Sequence, residues 1–211
     1  YREAITQTSE AEGRFVRQAG GRGQFAVVRL RIEPFEPAPG QEHFQFVNAL
    51  PDHTVRNVYL PVIQQAAQSA AQSGPLGSYP LINVRVTLIG AEDHPTDSSE
   101  AAFEAATAIA FGRAVEAAAP VLLEPIMKLE VVTPEEYFGA INGDLMTRRA
   151  MITATTLRGQ NHVIAAEVPL STMFGYATQV RSLSQGRASY AMEPCRYEAM
   201  PTDLARHVLG A

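Results

Sequence analysis

A glycine-rich segment near the amino terminus is the part of the sequence that most suggests chemistry. Residues 20–24 read Gly20, Gly21, Arg22, Gly23 and Gln24, and three glycines in four positions permit a tight loop with positive φ angles. Arg22 and Gln24 carry hydrogen-bond donors suited to phosphates and to the edges of bases. An ordinary hairpin turn explains the same pattern equally well, so these residues alone leave a turn and an RNA contact both open.

The charge around this segment favours the RNA contact. Residues 1–31 hold six arginines and three glutamates, a net charge of +3, whereas the whole chain carries −5. Phosphate attraction is screened within about 8 Å at physiological salt, so a basic end on an acidic body predicts a contact confined to one place. The overall charge excludes a protein that coats nucleic acid with a general basic surface.

A second polar loop contains His94, between Asp93 and Pro95. A lone histidine in a loop is more often solvated than functional, so His94 alone is only a candidate. The residues that follow it, Asp97-Ser98-Ser99-Glu100, have the spacing of a capping box and predict a helix in which Asp97 caps and Glu100 reaches back.

Sequence patterns of covalent or metal chemistry are missing. Lys128 is the only lysine and is flanked by apolar residues, so it does not belong to the Gly-Lys-Ser/Thr of a phosphate-binding loop. Cys195 is the only cysteine, has no nearby histidine, and is expected to be inert. Glu135 and Glu136 fit the first turn of a helix better than a pair of catalytic carboxylates. We therefore predict no catalytic residue, no metal site and no cofactor within this chain.

The single cysteine also bears on location. It permits no intramolecular disulfide and favours the cytoplasm. The uncharged stretch 57–84 is interrupted by Gln, Ser, Gly and Pro, which excludes a bilayer span, and no signal peptide precedes it. The chain opens at Tyr1 without an initiator Met, which suggests a fragment of a longer protein.

The elements that must position these loops can be read from the apolar pattern. In the first half, residues 25–32 and 81–89 alternate as half-buried strands do. Residues 60–72 predict a helix with Pro61 in its first turn, and a second helix runs from the capping segment to about residue 118.

Pro120 marks the predicted boundary between two domains, 1–120 and 121–211. Beyond it the order is strand, helix, strand, strand, helix, strand, which matches the ferredoxin-like βαββαβ motif, with two helices on one face of a four-stranded antiparallel sheet. The fold class is therefore α+β. The predicted segments are 121–132, a helix opening at 133–136, a strand from 151, 162–168, a helix over 171–184, and a strand from 187.

Seven segments together resemble the C-terminal part of bacterial elongation factor G, in order and over nearly the whole chain. They are GGRGQF (20–25), GPLGSYP (74–80), DSSEAAF (97–103), PVLLEPIMKLEV (120–131), TPEEYFG (133–139), GDLMTRR (143–149) and FGYATQVRSLSQGRASYAME (174–193).

The resemblance implies a fold and an assignment of parts. Residues 1 to about 120 resemble the fourth domain of that factor, an elongated ribosomal-protein-like (S5-type) α/β module, and the remainder resembles its ferredoxin-like fifth domain. The GTPase, with GTP and Mg²⁺, would belong to an amino-terminal portion outside this chain.

The resemblance also implies partners and site residues. In the family, the fourth domain enters the decoding A site of the ribosome and promotes tRNA–mRNA translocation. By motif, Gly20 to Gln24 would form one tip loop and His94 would lie on the other, against the A-site tRNA–mRNA duplex. Asp144, Arg148 and Arg149 fall in a fifth-domain helix that resembles a ribosome-facing element. We expect rRNA and that duplex as partners, no DNA, no membrane, and a monomer.

Several positions depart from the family pattern. Ala26-Val27 stand where the family has Gly-His, residues 51–61 (PDHTVRNVYLP) replace a Gly-Gly-Val/Ile-Pro segment, and Ala150 ends the GDLMTRR segment where the family has glycine. These departures suggest a divergent paralogue. The alternatives are a ribosome-recycling or otherwise specialised member, or, in a different class, a ferredoxin-like small-molecule regulatory module.

Overall fold

A computed structural model describes residues 1–17 and 23–210. The chain divides into two compact units, the first formed by Tyr1–Leu122 with Pro201–Ala211 and the second by Leu123–Met200. Residues 201–211, which the sequence assigned to the second domain, thus group with the first unit. Gly20, Gly21 and Arg22 of the predicted tip lie outside the described residues.

The first unit is a mixed sheet covered by helices. Within its described residues the sheet order is β2-β3-β5-β4, with β3 antiparallel to β2 and β5, and β4 parallel to β5. The elements up to the boundary are β1 (Arg2–Ile5), β2 (Ser9–Arg17), β3 (Gln24–Pro34), β4 (Phe44–Asn48), α1 (Tyr59–Ala70), β5 (Val84–Glu92) and α2 (Glu100–Ala117).

The alternation predicted for residues 25–32 is confirmed. Val28, Leu30 and Ile32 of β3 are fully buried, whereas Arg29 and Arg31 are exposed. The buried side chains meet Ile63 and Phe103 from the two helices in one core. Fully burying an aliphatic side chain of this size stabilises by about 1.5–3 kcal/mol, so β3, one of the two inner strands of the sheet, contributes strongly to this core.

The start of α2 differs from the prediction. Ser99, not Asp97, is the N-cap: its Oγ accepts from the N–H of Ala102 at 3.2 Å, and its backbone is extended. Asp97 lies two residues earlier, where its carbonyl accepts the N–H of Phe25 at 2.9 Å. The capping box of Asp97 and Glu100 is therefore wrong, because the bond to β3 holds Asp97 in the preceding loop.

The start of β5 also differs. The strand begins at Val84 rather than residue 81, because Asn83 adopts a positive φ of 58° and Leu81 forms only an isolated bridge with Glu3. Glu3 is fully buried, and its carboxylate accepts backbone N–H groups at 2.8–3.2 Å from the loop between α1 and β5 (Leu76, Gly77, Tyr79). The short strand β1 thereby fixes that loop, a role that its sequence did not predict.

The second unit confirms the ferredoxin-like order βαββαβ. Its antiparallel sheet runs β9-β6-β8-β7. Both helices contribute to one core with the central strands, through side chains such as Leu145, Tyr176 and Ile164. The elements are β6 (Pro120–Pro134), in which the boundary between the units falls, α3 (Glu135–Thr147), β7 (Met151–Arg158), β8 (Asn161–Pro169), α4 (Tyr176–Leu183) and β9 (Ser189–Ala199).

The predicted helix over 171–184 is shorter in the structure. A 3₁₀ turn at Leu170–Thr172 comes first, and Gly175 has φ +76°, so α4 begins only at Tyr176. A left-handed residue cannot continue a right-handed helix. A final helix that the sequence did not predict, α5 (Thr202–Leu209), belongs to the first unit. None of the described helices combines the length and apolar character that a membrane span requires.

Candidate nucleic-acid interface

The end of the β2–β3 hairpin and the loop after β5 meet at one end of the first unit. Arg17 and Gln24 form the last register pair of β2 and β3. Phe25 then joins the other loop through its N–H, which donates to Asp97, and through its carbonyl, which accepts the Ser98 hydroxyl at 2.6 Å. Gly23 and Gln24 therefore lie beside the loop of His94, as a shared tip requires.

Gly23 permits this close approach. A Cβ built at Gly23 would lie 3.1 Å from Cγ and 3.3 Å from Oδ2 of Asp97, closer than ordinary van der Waals contact. The glycine thus lets the start of β3 pass against the carboxylate that faces His94.

The imidazole of His94 is half-exposed and held on one side. Its side chain is 51% exposed, and Nδ1 lies 3.3 Å from Oδ2 of Asp97 and 3.2 Å from Oγ1 of Thr96. The ring centroid is 6.2 Å from that of Phe25, with the two rings inclined at 62°. One edge of the imidazole is therefore engaged by the protein while the rest of the ring remains accessible.

The backbone of His94 is fixed by residues that the sequence did not single out. Its N–H donates to Ser98 Oγ at 2.7 Å, and its carbonyl accepts from Nη2 of Arg56 at 2.9 Å. Arg56 also pairs with the Asp93 carboxylate and lies 5.0 Å from the ring centroid of Tyr59. One feature of the sequence could have drawn attention to Arg56. It is the only arginine or lysine in residues 51–61, the segment that departs from the family pattern.

Uncompensated positive charge gathers at the same end of the sheet. Arg14 and Arg17 of β2 lie over the rings of Phe25 and Phe15, at 5.9 and 5.6 Å from the ring centroids, and neither has a carboxylate partner among the described residues. Ion pairs occupy the arginines farther along the sheet: Arg29–Glu12, Arg31–Glu10 and Arg85–Glu33, at 2.6, 2.6 and 2.7 Å. A phosphate would therefore meet guanidinium groups without a described carboxylate partner near the hairpin, and ion-paired ones at these three positions farther along the sheet.

The three residues predicted to face the ribosome from the second unit make internal contacts. Arg148 Nε lies 2.8 Å from Asp144 Oδ2, and Nη1 donates to the carbonyl of Thr172 at 2.5 Å. Arg149 makes a two-pronged ion pair, at 2.6 and 3.1 Å, with Glu124, whose side chain is 2% exposed. These contacts hold the end of α3 to the 3₁₀ turn and to β6. Their orientation toward a ribosome stays a prediction.

The second unit carries a depression of about 330 Å³ on its sheet. The charged side chains around it already have partners, since Lys128 lies 3.6 Å from Glu193 and Glu130 lies 3.4 Å from Arg158. Across residues 1–17 and 23–210, no three His, Cys, Asp or Glu side chains gather into a metal-binding group. The depression is lined by Lys128, Leu129, Glu130, Ala165, Ala191, Met192 and Glu193.

Comparison with known proteins gives a family match for each half of the chain. Residues 1–119 match the family described as elongation factor G, domain IV, and residues 121–208 match the elongation factor G C-terminus. Over 209 residues, 99% of the chain, the sequence is 47% identical to elongation factor G of Thermotoga neapolitana and 46% identical to that of Thermotoga maritima. A crystal structure of a Thermus thermophilus protein superposes with a TM-score of 0.86 at 32% identity, covering 99% of this chain and 31% of that one.

The chain spans about 30% of the length of these curated relatives.

Proposed function

The chain belongs to the elongation factor G family, and from this premise we propose that it is the ribosome-binding part of a translation elongation factor that promotes tRNA–mRNA translocation. The first unit would insert the end that carries Gly23, Gln24 and His94 into the decoding A site. The observation that carries the proposal is the convergence of these residues at one end, beside Arg14 and Arg17, which have no carboxylate partner among the residues that the structure describes.

The proposed role is positional, with no covalent step. The minor groove of an RNA duplex is wide and shallow and exposes 2′-hydroxyls and base edges. The amide of Gln24 can both donate and accept there, and the accessible side of the His94 ring would press on the duplex. Arg14 and Arg17 would contact phosphates, together with Arg22, which lies outside the described residues. A few contacts of about 1–3 kcal/mol each are enough to shift the population of tRNA positions.

The partners proposed are rRNA and the A-site tRNA–mRNA duplex, which would place the protein in the cytoplasm with its ribosomes. GTP and Mg²⁺ are proposed to act through sequence outside this chain. The residues present do not fit them: Lys128 lies within β6 and pairs with Glu193, whereas a phosphate-binding lysine stands at the start of a helix.

The test is a single-turnover translocation assay with the intact protein that carries this chain. His94→Ala and Gln24→Ala should each slow tRNA–mRNA movement about tenfold, the equivalent of about 1.4 kcal/mol, with ribosome binding and GTP turnover little changed. The matched control is His43→Ala. His43 is also exposed, but it binds Asn83 Oδ1 at 2.5 Å near the start of β5, far from the tip.

Parental translocation rates for both tip variants, with GTP turnover also unchanged, would contradict the proposal. Slowed separation of ribosomal subunits with normal translocation would instead favour the ribosome-recycling alternative.

A further inference from the structure

The turn before α1 supplies a side chain that holds the loop of His94 from outside that loop. Arg56 donates from Nη2 to the His94 carbonyl at 2.9 Å and pairs through Nε with Asp93. Its guanidinium carbon lies 5.0 Å from the ring centroid of Tyr59. One side chain therefore combines an ion pair, a charge-assisted hydrogen bond and a cation–π contact.

Two of the three groups that Arg56 contacts, the Tyr59 ring and the Asp93 carboxylate, are largely buried. Tyr59 is 5% exposed and stacks on Phe103 of α2, with ring centroids 4.4 Å apart, so it belongs to the core. Its hydroxyl donates to the Ser98 carbonyl at 3.1 Å, on the far side of the same loop. The Asp93 side chain is only 18% exposed, so its carboxylate is largely shielded from water, whereas Arg56 is 47% exposed.

The loop is thus held from two directions. On the β3 side, Ser98 Oγ accepts from the His94 N–H and donates to the Phe25 carbonyl. On the α1 side, Arg56 holds residues 93 and 94, and the Tyr59 hydroxyl holds Ser98. Without Arg56, the His94 carbonyl would still accept a hydrogen bond from the N–H of Ser98, at 3.3 Å. Asp93 would lose the positive charge that it pairs with. The loop would then sample several orientations before it meets a partner.

We propose that Arg56 is a positioning residue that fixes the His94 loop to α1, so that the imidazole is presented to the RNA duplex in one orientation. This inference rests on the proposed function of His94. A contact group that is already ordered loses less conformational entropy when it binds. The guanidinium is required because a lysine can pair with Asp93 but lacks the planar fork that also reaches the His94 carbonyl.

The test combines two measurements on the intact protein with Arg56→Ala, Arg56→Lys and a matched control, Arg85→Ala. Arg85 makes the same kinds of contact, with Glu33 at 2.7 Å, Gln45 at 2.6 Å and the Phe35 ring at 4.8 Å, but it lies at the start of β5. His94 follows the other end of that strand, about 25 Å away.

The first measurement is hydrogen–deuterium exchange of the loop amides. Arg56→Ala should speed exchange over residues 93–98 about tenfold, Arg56→Lys should speed it less, and Arg85→Ala should leave it at the parental rate. Unchanged exchange in Arg56→Ala would overturn the inference without touching the function proposed for His94. A melting temperature near the parental one would show that each variant is folded.

The second measurement is single-turnover translocation, including the double variant Arg56→Ala/His94→Ala. Arg56→Ala should slow translocation about fivefold with unchanged ribosome binding and GTP turnover, and the double variant should be no slower than His94→Ala. This non-additivity is expected only if Arg56 acts through His94.

Two results would separate the claims. If the effects of Arg56→Ala and His94→Ala multiply in the double variant, the positioning role is overturned and the function of His94 stands. If exchange rises in Arg56→Ala but neither single variant changes translocation, the proposed function fails, and the positioning role toward RNA fails with it.

Discussion

Replacing Gly13 with alanine is expected to destabilise the first unit strongly. Gly13 lies in β2 where α2 crosses the strand, and a Cβ at this position would lie 1.9 Å from the carbonyl oxygen of Ala106 and 2.5 Å from the nitrogen of Ala110. Both are backbone atoms of α2, so no side-chain rotation relieves the clash. Since ordinary contact begins near 3.4 Å, the helix would have to retreat by about 1.5 Å.

This shift of the helix would be costly because the face of α2 that packs on the sheet is tightly packed. Phe103, Ala106 and Ala110 are fully buried, and lifting them would open voids beneath the helix. Overpacking a core costs about 1–3 kcal/mol, and more where backbone must move. We expect a loss of about 3 kcal/mol, or about 10 °C in the melting temperature of a unit of this size.

The measurement is thermal unfolding of the variant against Gly112→Ala as a matched control. Gly112 lies in the same helix and is exposed, and a Cβ added there would have no atom within 4 Å. Alanine at this position should stabilise by about 0.5–1 kcal/mol, because it favours the helix and restricts the unfolded chain. A Gly13→Ala protein that melts within about 2 °C of the parent, less than the shift expected for 1 kcal/mol, would refute the reasoning. So would a Gly112→Ala protein that loses as much stability as Gly13→Ala.

Two further predictions concern local features. Ser99→Ala should destabilise α2 by about 1 kcal/mol through loss of its N-cap, and Asp97→Ala should destabilise it less. If urea unfolding shows that both variants lose the same free energy of unfolding, Ser99 is not the dominant cap and the assignment is wrong. Burial, aided by the Asp144 carboxylate, raises the pKa of Tyr176 to about 12, and its buried hydroxyl has no partner among the described residues. The folded state therefore favours the neutral phenol. Its contribution to the free energy of unfolding is complete below the unfolded pKa of about 10 and is lost as the pH rises toward 12. Tyr176→Phe should match or slightly exceed parental stability at pH 7 and should lose less stability than the parent between pH 10 and 12; equal losses in that range would contradict the shift.

The strong periodic patterns determined most of the architecture from sequence. The alternation at residues 25–32 and the βαββαβ order after Pro120 required no tertiary information, because burying one face of a strand or helix imposes a period on the sequence itself. Family motifs then identified Gly23, Gln24 and His94 as candidates for one tip. The strands β1, β2 and β4 carried weaker patterns. In β2, for example, five of the nine residues are charged or glycine, and only its pairing with β3 makes it a strand.

The tertiary structure decided the contacts between segments distant in sequence. Asp97, Ser98 and Ser99 are all good capping residues, and the bond between Asp97 and Phe25 selected Ser99. Arg56 and His94 are separated by 38 residues along the chain, and no local rule relates them. Periodicity and capping depend on the neighbours of a residue along its own helix or strand. A contact such as that of Arg56 with the His94 loop depends on how the helices and strands pack together, and the whole core determines that packing.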